Sequence, residues 1–111
     1  MMSEPIFVYV TTSSTDEAEE IGKMMVEQRL AACANILPGM QSVYRWEEKI
    51  QTDQEVVLIL KTVKANLSAL TEAVVEVHSY DEPCVVALPI IGGSPTFLQW
   101  IANEANPKKS N

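Results

Sequence analysis

The sequence is poor in the residues that would point most directly to chemistry. Among 111 residues there is one histidine, His78, and there are two cysteines, Cys33 and Cys84. That inventory excludes a zinc signature of paired Cys or His ligands at tight spacing, and it excludes a disulfide-rich secreted scaffold. Positive charge is scarce too: eight Lys plus Arg stand against fifteen Asp plus Glu, a formal charge of -7. A surface of that sign repels phosphate backbones and anionic lipid, so neither nucleic acid nor a membrane is expected as a partner. The longest strongly apolar runs, "VVLIL" and "CVVALPII", are far too short to span a bilayer. There is no glycine-rich phosphate loop and no Walker sequence. Nothing specifies a Cys/His nucleophile pair with an orienting third group, so no enzyme is expected. The opening "MMSEPIFVYV" lacks a basic region and meets proline early, unlike a secretory signal. With two cysteines expected to stay reduced, this predicts a cytoplasmic protein.

What is present is a 47% hydrophobic chain of one domain's length, which predicts a single folded domain over 1–111. "IFVYVTT" at 6–12 is β-branched and aromatic, as a first strand should be. The period then changes: Ala18, Ile21, Met24 and Met25 make a helical stripe, opened by Ser14 and Glu17 at capping-box spacing. The early acids Asp16, Glu17, Glu19 and Glu20 suit the positive end of a helix dipole and read as a solvated face. "CANILPGMQSVYRWEEKI" reads as a long strand bent at Pro38-Gly39; "EEKIQTDQ" is expected to be a polar connection and "EVVLILKT" the returning strand. Leu67, Leu70, Val74 and Val77 predict a second helix ending near His78. Pro83 blocks its continuation, "CVVALPII" follows as a last strand, and Ser94-Pro95 opens a short terminal helix as N-cap and first helical residue.

The order is βαββαβ plus a short C-terminal helix, an α+β ferredoxin-like sandwich with both main helices on one face of an antiparallel sheet. In such a sheet the uncovered face should alternate to polar residues. Here Ile6, Val8 and Val10 alternate with Phe7 and Tyr9, and Val56, Leu58 and Leu60 with Val57 and Ile59. Likewise Val85, Ala87 and Pro89 alternate with Val86, Leu88 and Ile90. Both faces are apolar, which leaves a patch larger than soluble monomers usually expose and predicts an obligate oligomer.

The stretch "RLAACANILPGMQSVYRWEEKI", then "ILKT", "HSYDEP" and a late "FLQW" resembles the CutA family of divalent-cation tolerance proteins, over roughly 6–102. The resemblance implies a homotrimer of ferredoxin-like subunits, PII-like in assembly, whose hairpins reach across to neighbours. It also implies a role in divalent metal tolerance, with copper, as Cu(II), or another divalent cation as the expected ligand and no obligatory cofactor. Val10 stands where copper-associated members carry a first-strand cysteine, and Val77-His78-Ser79-Tyr80 where they carry paired histidines. Cys84 replaces a glutamate, and Trp46-Glu47-Glu48-Lys49 replaces Trp-Glu-Gly-Lys.

Candidate site residues follow. His78 can bind a divalent metal as neutral imidazole, with Glu82 and Cys84 as companion ligands and Asp81 beside them. The competing reading makes His78 a helix C-terminal residue facing carbonyls and "SYDEP" a plain loop. Cys33, between alanines, reads as an inert core thiol. Tyr44, Arg45 and Trp46 have interface-anchor chemistry, with Tyr44 and Trp46 the expected oligomer contacts. The rival to a metal protein is a PII-like sensor or adaptor that holds a small anionic or aromatic ligand in an intersubunit cleft. Trp46, Lys49, Lys61 and Tyr80 would line that cleft.

Overall fold

The alternation between two-residue and helical periods is followed element by element in the structure, a computed structural model that describes residues 4–109. Strand β1 (Pro5–Thr12) leads into helix α1 (Thr15–Glu27). Ser14 caps α1 by accepting the Glu17 N–H on its hydroxyl at 3.1 Å. The return bond of the capping box lands one residue earlier than the spacing predicts, because the Glu17 carboxylate receives the Ser13 N–H at 2.9 Å. Strands β2 (Cys33–Trp46) and β3 (Lys49–Val63) form the long hairpin, followed by a 3₁₀ turn at Lys64–Asn66 and helix α2 (Leu67–Val77). Strand β4 (Val85–Pro89) and helix α3 (Pro95–Glu104) complete the order.

The four strands lie in the order β2-β3-β1-β4, with every neighbouring pair antiparallel. Even-numbered residues point to the helix side: Val8, Val10, Leu58 and Leu60 are fully buried beneath Ala18, Ile21 and Met25 of α1 and Leu70 and Val74 of α2. Gly22 permits the approach of α1, since a Cβ there would stand 2.9 Å from the Ala34 Cβ. The register places Leu88, Phe7 and Lys61 in one row of the opposite face, Val86, Tyr9 and Ile59 in the next, and Val57 and Leu37 in a third. Helix α3 covers only one end of this second face. Its Ile101 and the following Ala105 pack on Val63 and Ala32, and the Lys61 ammonium sits 5.7 Å from the Phe7 ring centre and 5.5 Å from that of Phe97. Leu37, Val86 and Leu88 remain 53, 51 and 49% exposed.

Asn66, buried at the foot of α2, ties these layers together. Its amide nitrogen lies 2.9 Å from the Ala105 carbonyl, 3.2 Å from the Thr62 hydroxyl and 3.4 Å from the Leu30 carbonyl, so one side chain joins the end of α3 to β3 and to the α1–β2 connection.

Three expectations need correction. The stretch "EEKIQTDQ" is not a connection: β3 begins at Lys49, and the turn consists of Glu47 and Glu48 alone, with φ of 49° and 65°. A two-residue hairpin turn with both φ positive matches the twist of the flanking strands, which overrides the polarity of the segment. Val77 is 42% exposed rather than in the core, because α2 ends there and the chain turns away. Ser94 precedes α3 without a side-chain cap; its hydroxyl lies 3.3 Å from the Thr96 hydroxyl instead. The bend at Pro38-Gly39 is a shift of register between Leu37 and Met40, with Gly39 at φ 85°.

Candidate functional site

Beyond the Pro38-Gly39 bulge the hairpin leaves the body of the sheet, and residues 78–84 cross from α2 to β4 beside it. A cleft of about 610 Å³ opens between the two. One wall is the hairpin, with Tyr44, Trp46, Asp53 and Glu55; the other is the crossing segment, with Ser79, Tyr80, Asp81, Glu82 and Cys84; Thr11 of β1 contributes between them. Four carboxylates and no lysine or arginine line it. The field inside is negative and favours cations.

Each wall is held by specific bonds. The Tyr80 hydroxyl donates to Glu55 at 2.8 Å across the cleft, and the Tyr44 hydroxyl donates to Asp53 within the hairpin. Burial and then the Glu55 hydrogen bond push the Tyr80 hydroxyl pKa well up. The Asp53 hydrogen bond does the same for Tyr44. Both phenols therefore stay protonated donors at neutral pH, and each occupies a lone pair of the carboxylate it faces. Burial, reinforced by the Glu55 charge, raises the Cys84 thiol, so ligation by Cys84 must first displace a proton.

The crossing segment is fixed from behind. His78 ends α2 with an extended ψ of 145°, and its side chain is fully buried. Its Nδ1 accepts the Tyr80 N–H at 3.1 Å, which makes Nε2 the protonated nitrogen, donating to the Thr11 carbonyl at 2.8 Å. The Tyr80 ring packs on the imidazole with centroids 4.7 Å apart. Beside it Glu17 accepts the Ser79 N–H at 2.8 Å while also accepting the Ser13 N–H and hydroxyl, each at 2.9 Å. Burial alone would raise the Glu17 carboxyl, but the Ser13 and Ser79 hydrogen bonds outweigh it and hold the pKa down to about 2.

The expected metal set of His78, Glu82 and Cys84 is therefore not assembled within one chain. Glu82 and Cys84 line the cleft, whereas both imidazole nitrogens of His78 are engaged behind it. Among the described residues no three His, Cys, Asp or Glu side chains stand close enough to hold a metal ion. The helix-end reading also changes, since the ring addresses a β1 carbonyl rather than those of α2. Of the proposed ligand-cleft residues, Trp46 and Tyr80 line the cleft and Lys49 and Lys61 do not. Lys49 pairs with Trp46 at the hairpin tip, and Lys61 lies beside Cys33, Phe7 and Phe97 at the far end of the sheet. The cleft lining therefore carries carboxylates and no cationic side chain among the described residues. Cys33 lies in the Lys61 row rather than in the core; burial raises its thiol pKa, with a smaller opposing effect from Lys61. Both cysteines are unpaired. Tyr44 and Trp46, expected at an oligomer contact, are 40 and 46% exposed on the cleft wall.

Sequence reasoning missed Asp53, Glu55, Thr11 and Glu17. The first two had a signal, because they continue the odd-numbered row of Val57 and Ile59 along β3.

The profile of the CutA1 divalent ion tolerance protein family matches residues 6–104. The chain belongs to this family. It is 48% identical over 98 residues to Protein CutA, chloroplastic, of Arabidopsis thaliana, covering 88% of this chain and 54% of that one. It is 44% identical over 94 residues to the divalent-cation tolerance protein CutA of Thermus thermophilus, covering 85% and 91%. The crystal structure of CutA1 from Oryza sativa superposes with a TM-score of 0.89 at 46% identity, covering 93% of this chain and 94% of that one. The chain thus spans about half the length of the plant relative and nearly all of the bacterial one. The α+β fold, with its four-stranded antiparallel sheet and three helices, is that of solved family members.

Proposed function

We propose that the protein serves tolerance of divalent metal ions, copper among them, through weak or conditional cation binding at the acidic cleft of a homotrimer. The subunit reads as ferredoxin-like, with a PII-like assembly. The observation that carries this reading is the family match over 6–104, joined to a cleft whose only formal charges are carboxylates. The same charge argues against an anion sensor. Carboxylate oxygens suit a hard or borderline divalent ion, but among the described residues no three-ligand cluster exists in one chain, so a tight single-subunit site does not fit. Binding then depends on water or on groups contributed by a neighbouring subunit. The half-exposed apolar face of the sheet supports self-association. Two unpaired cysteines agree with a cytoplasmic setting.

Equilibrium dialysis of metal-free protein against Cu(II) and Zn(II) tests this reading. Saturable binding, weakened at least tenfold in the double variant Asp81→Asn, Glu82→Gln, is expected; absence of saturable binding by the assembled protein removes the direct-binding function.

A further inference from the structure

His78 ties the crossing-segment wall of the cleft to β1 without entering the cleft. Its Nε2–H donates to the carbonyl of Thr11 and its Nδ1 accepts the N–H of Tyr80, while Glu17 holds the neighbouring Ser79 N–H. Thr11, Ser79 and Tyr80 all line the cleft, and the Tyr80 hydroxyl continues the chain of bonds to Glu55 on the hairpin. The links span 67 residues between His78 and Thr11 and 62 between Glu17 and Ser79, so they join segments that no local turn brings together.

We infer that His78 and Glu17 form a rear latch that sets the cleft geometry: they are positioning residues that fix segment 79–82 against β1, and not ligands. Without the imidazole, the Tyr80 N–H and the Thr11 carbonyl lose their shared partner, and a buried polar group left without one is unfavourable. The segment then relaxes outward, and Tyr80 lets go of Glu55. The fully buried ring can serve in this way because it offers one donor and one acceptor about 2 Å apart on a rigid frame. A metal on either nitrogen would break one of the two bonds, so ligation by His78 and an ordered cleft are mutually exclusive. This deepens the cation-binding reading by naming what shapes its site, and it rests on that reading only for its effect on affinity.

Three variants separate the bonds. Asn at 78 keeps a group near the Nδ1 position, Gln keeps one near Nε2, and Leu keeps neither. Amide hydrogen exchange is followed at Ser79 and Tyr80, with Leu58 in the core as reference. His78→Leu should speed exchange at Tyr80 at least tenfold with Leu58 unchanged. His78→Asn should restore Tyr80 protection more fully than His78→Gln, and Glu17→Gln should act mainly at Ser79. Equal acceleration at Leu58 and Tyr80, or no difference between the Asn and Gln variants at Tyr80, overturns the latch, because a merely stabilising side chain behaves that way. Zinc titration of the same proteins adds the site: His78→Leu should weaken binding at least threefold, and unchanged affinity despite accelerated exchange also overturns the positioning role. Should the wild-type protein bind no zinc, the cation-binding reading fails while the exchange pattern still decides the latch.

Discussion

On the face that α1 and α2 cover, Val8, Val10, Leu58 and Leu60 lose all contact with solvent, whereas on the other face Leu37, Val86 and Leu88 keep about half of theirs. The two sets lie on opposite faces of one sheet, the first on β1 and β3 and the second on β2 and β4, and are equally apolar. Packing within the chain accounts for the first set, because two amphipathic helices need an apolar floor. It accounts for the second only where α3 seals Val63 and Ala32 at one end. It leaves Leu37, Val86 and Leu88 about half exposed, so their chemistry reports on something outside the chain. The uncovered face also runs on, along the hairpin, into the acidic wall of Asp53 and Glu55. An apolar patch that passes into a charged cleft is the arrangement expected of a subunit boundary with a binding site beside it.

The strongest way to break the comparison is Leu88→Asp. If the second face were simply solvated, a substitution at a half-exposed position would change stability by no more than about 0.5 kcal/mol. With a subunit covering the face, a carboxylate must be buried among apolar groups and a leucine's burial is lost, together costing more than about 3 kcal/mol per subunit. Sedimentation of the variant should show single subunits in place of the proposed homotrimer, with cooperative unfolding at lower denaturant. A variant that sediments and unfolds like the parent removes the covered-face reading.

Glu17 belongs to the well-packed side, and its effect should follow pH in a defined direction. Its folded-state pKa, about 2, lies below the ordinary 4.5, so its stabilisation is present above pH ~4.5 and is lost as pH falls towards 2. The side chain keeps 14% exposure, and allowing for that solvent the contribution is about 2 kcal/mol. Urea unfolding should show the parent more stable than Glu17→Gln at pH 6, with the gap narrowing below pH ~4.5 and closing only as pH nears 2. A gap that stays constant across that range would place the effect in the shape of the side chain rather than in its charge.

Much of the architecture was legible because it rests on local rules. Period two and period three-to-four marked the strands and helices, Pro38-Gly39 marked the bulge, and Ser14 with Glu17 marked the start of α1. The site was less legible because its bonds are long-range. Nothing near His78 in the chain says that its ring meets Thr11, or that Glu17, a capping acid by spacing, also receives Ser79. Lys61 shows the complementary error. Its chemistry suited a ligand cleft, but six strand residues, about 20 Å, separate it from Glu55. The resemblance supplied the family, while register and parity decided which residues meet.

The hairpin tip gives the smallest expected effect and the sharpest local test, since it lies away from both faces. Glu47 and Glu48 occupy the two turn positions with φ of 49° and 65°, a region in which a Cβ crowds the backbone and which asparagine and glycine fill more readily. Glu48→Gly should therefore stabilise the hairpin by about 0.5–1 kcal/mol, because relief of the left-handed strain exceeds the entropy glycine adds to the unfolded chain. Two acids side by side on a chain of charge -7 could also repel each other, so the substitution carries a charge effect that must be separated. Glu48→Ala removes the same charge but keeps a Cβ in the same backbone region. Chemical denaturation should then rank glycine above both alanine and glutamate, with the latter two within a few tenths of a kcal/mol. Equal gains from glycine and alanine would assign the effect to charge. No gain from either would mean that the tip is held by contacts stronger than its own backbone preference, as it would be if Tyr44 and Trp46 were clamped by a neighbouring subunit.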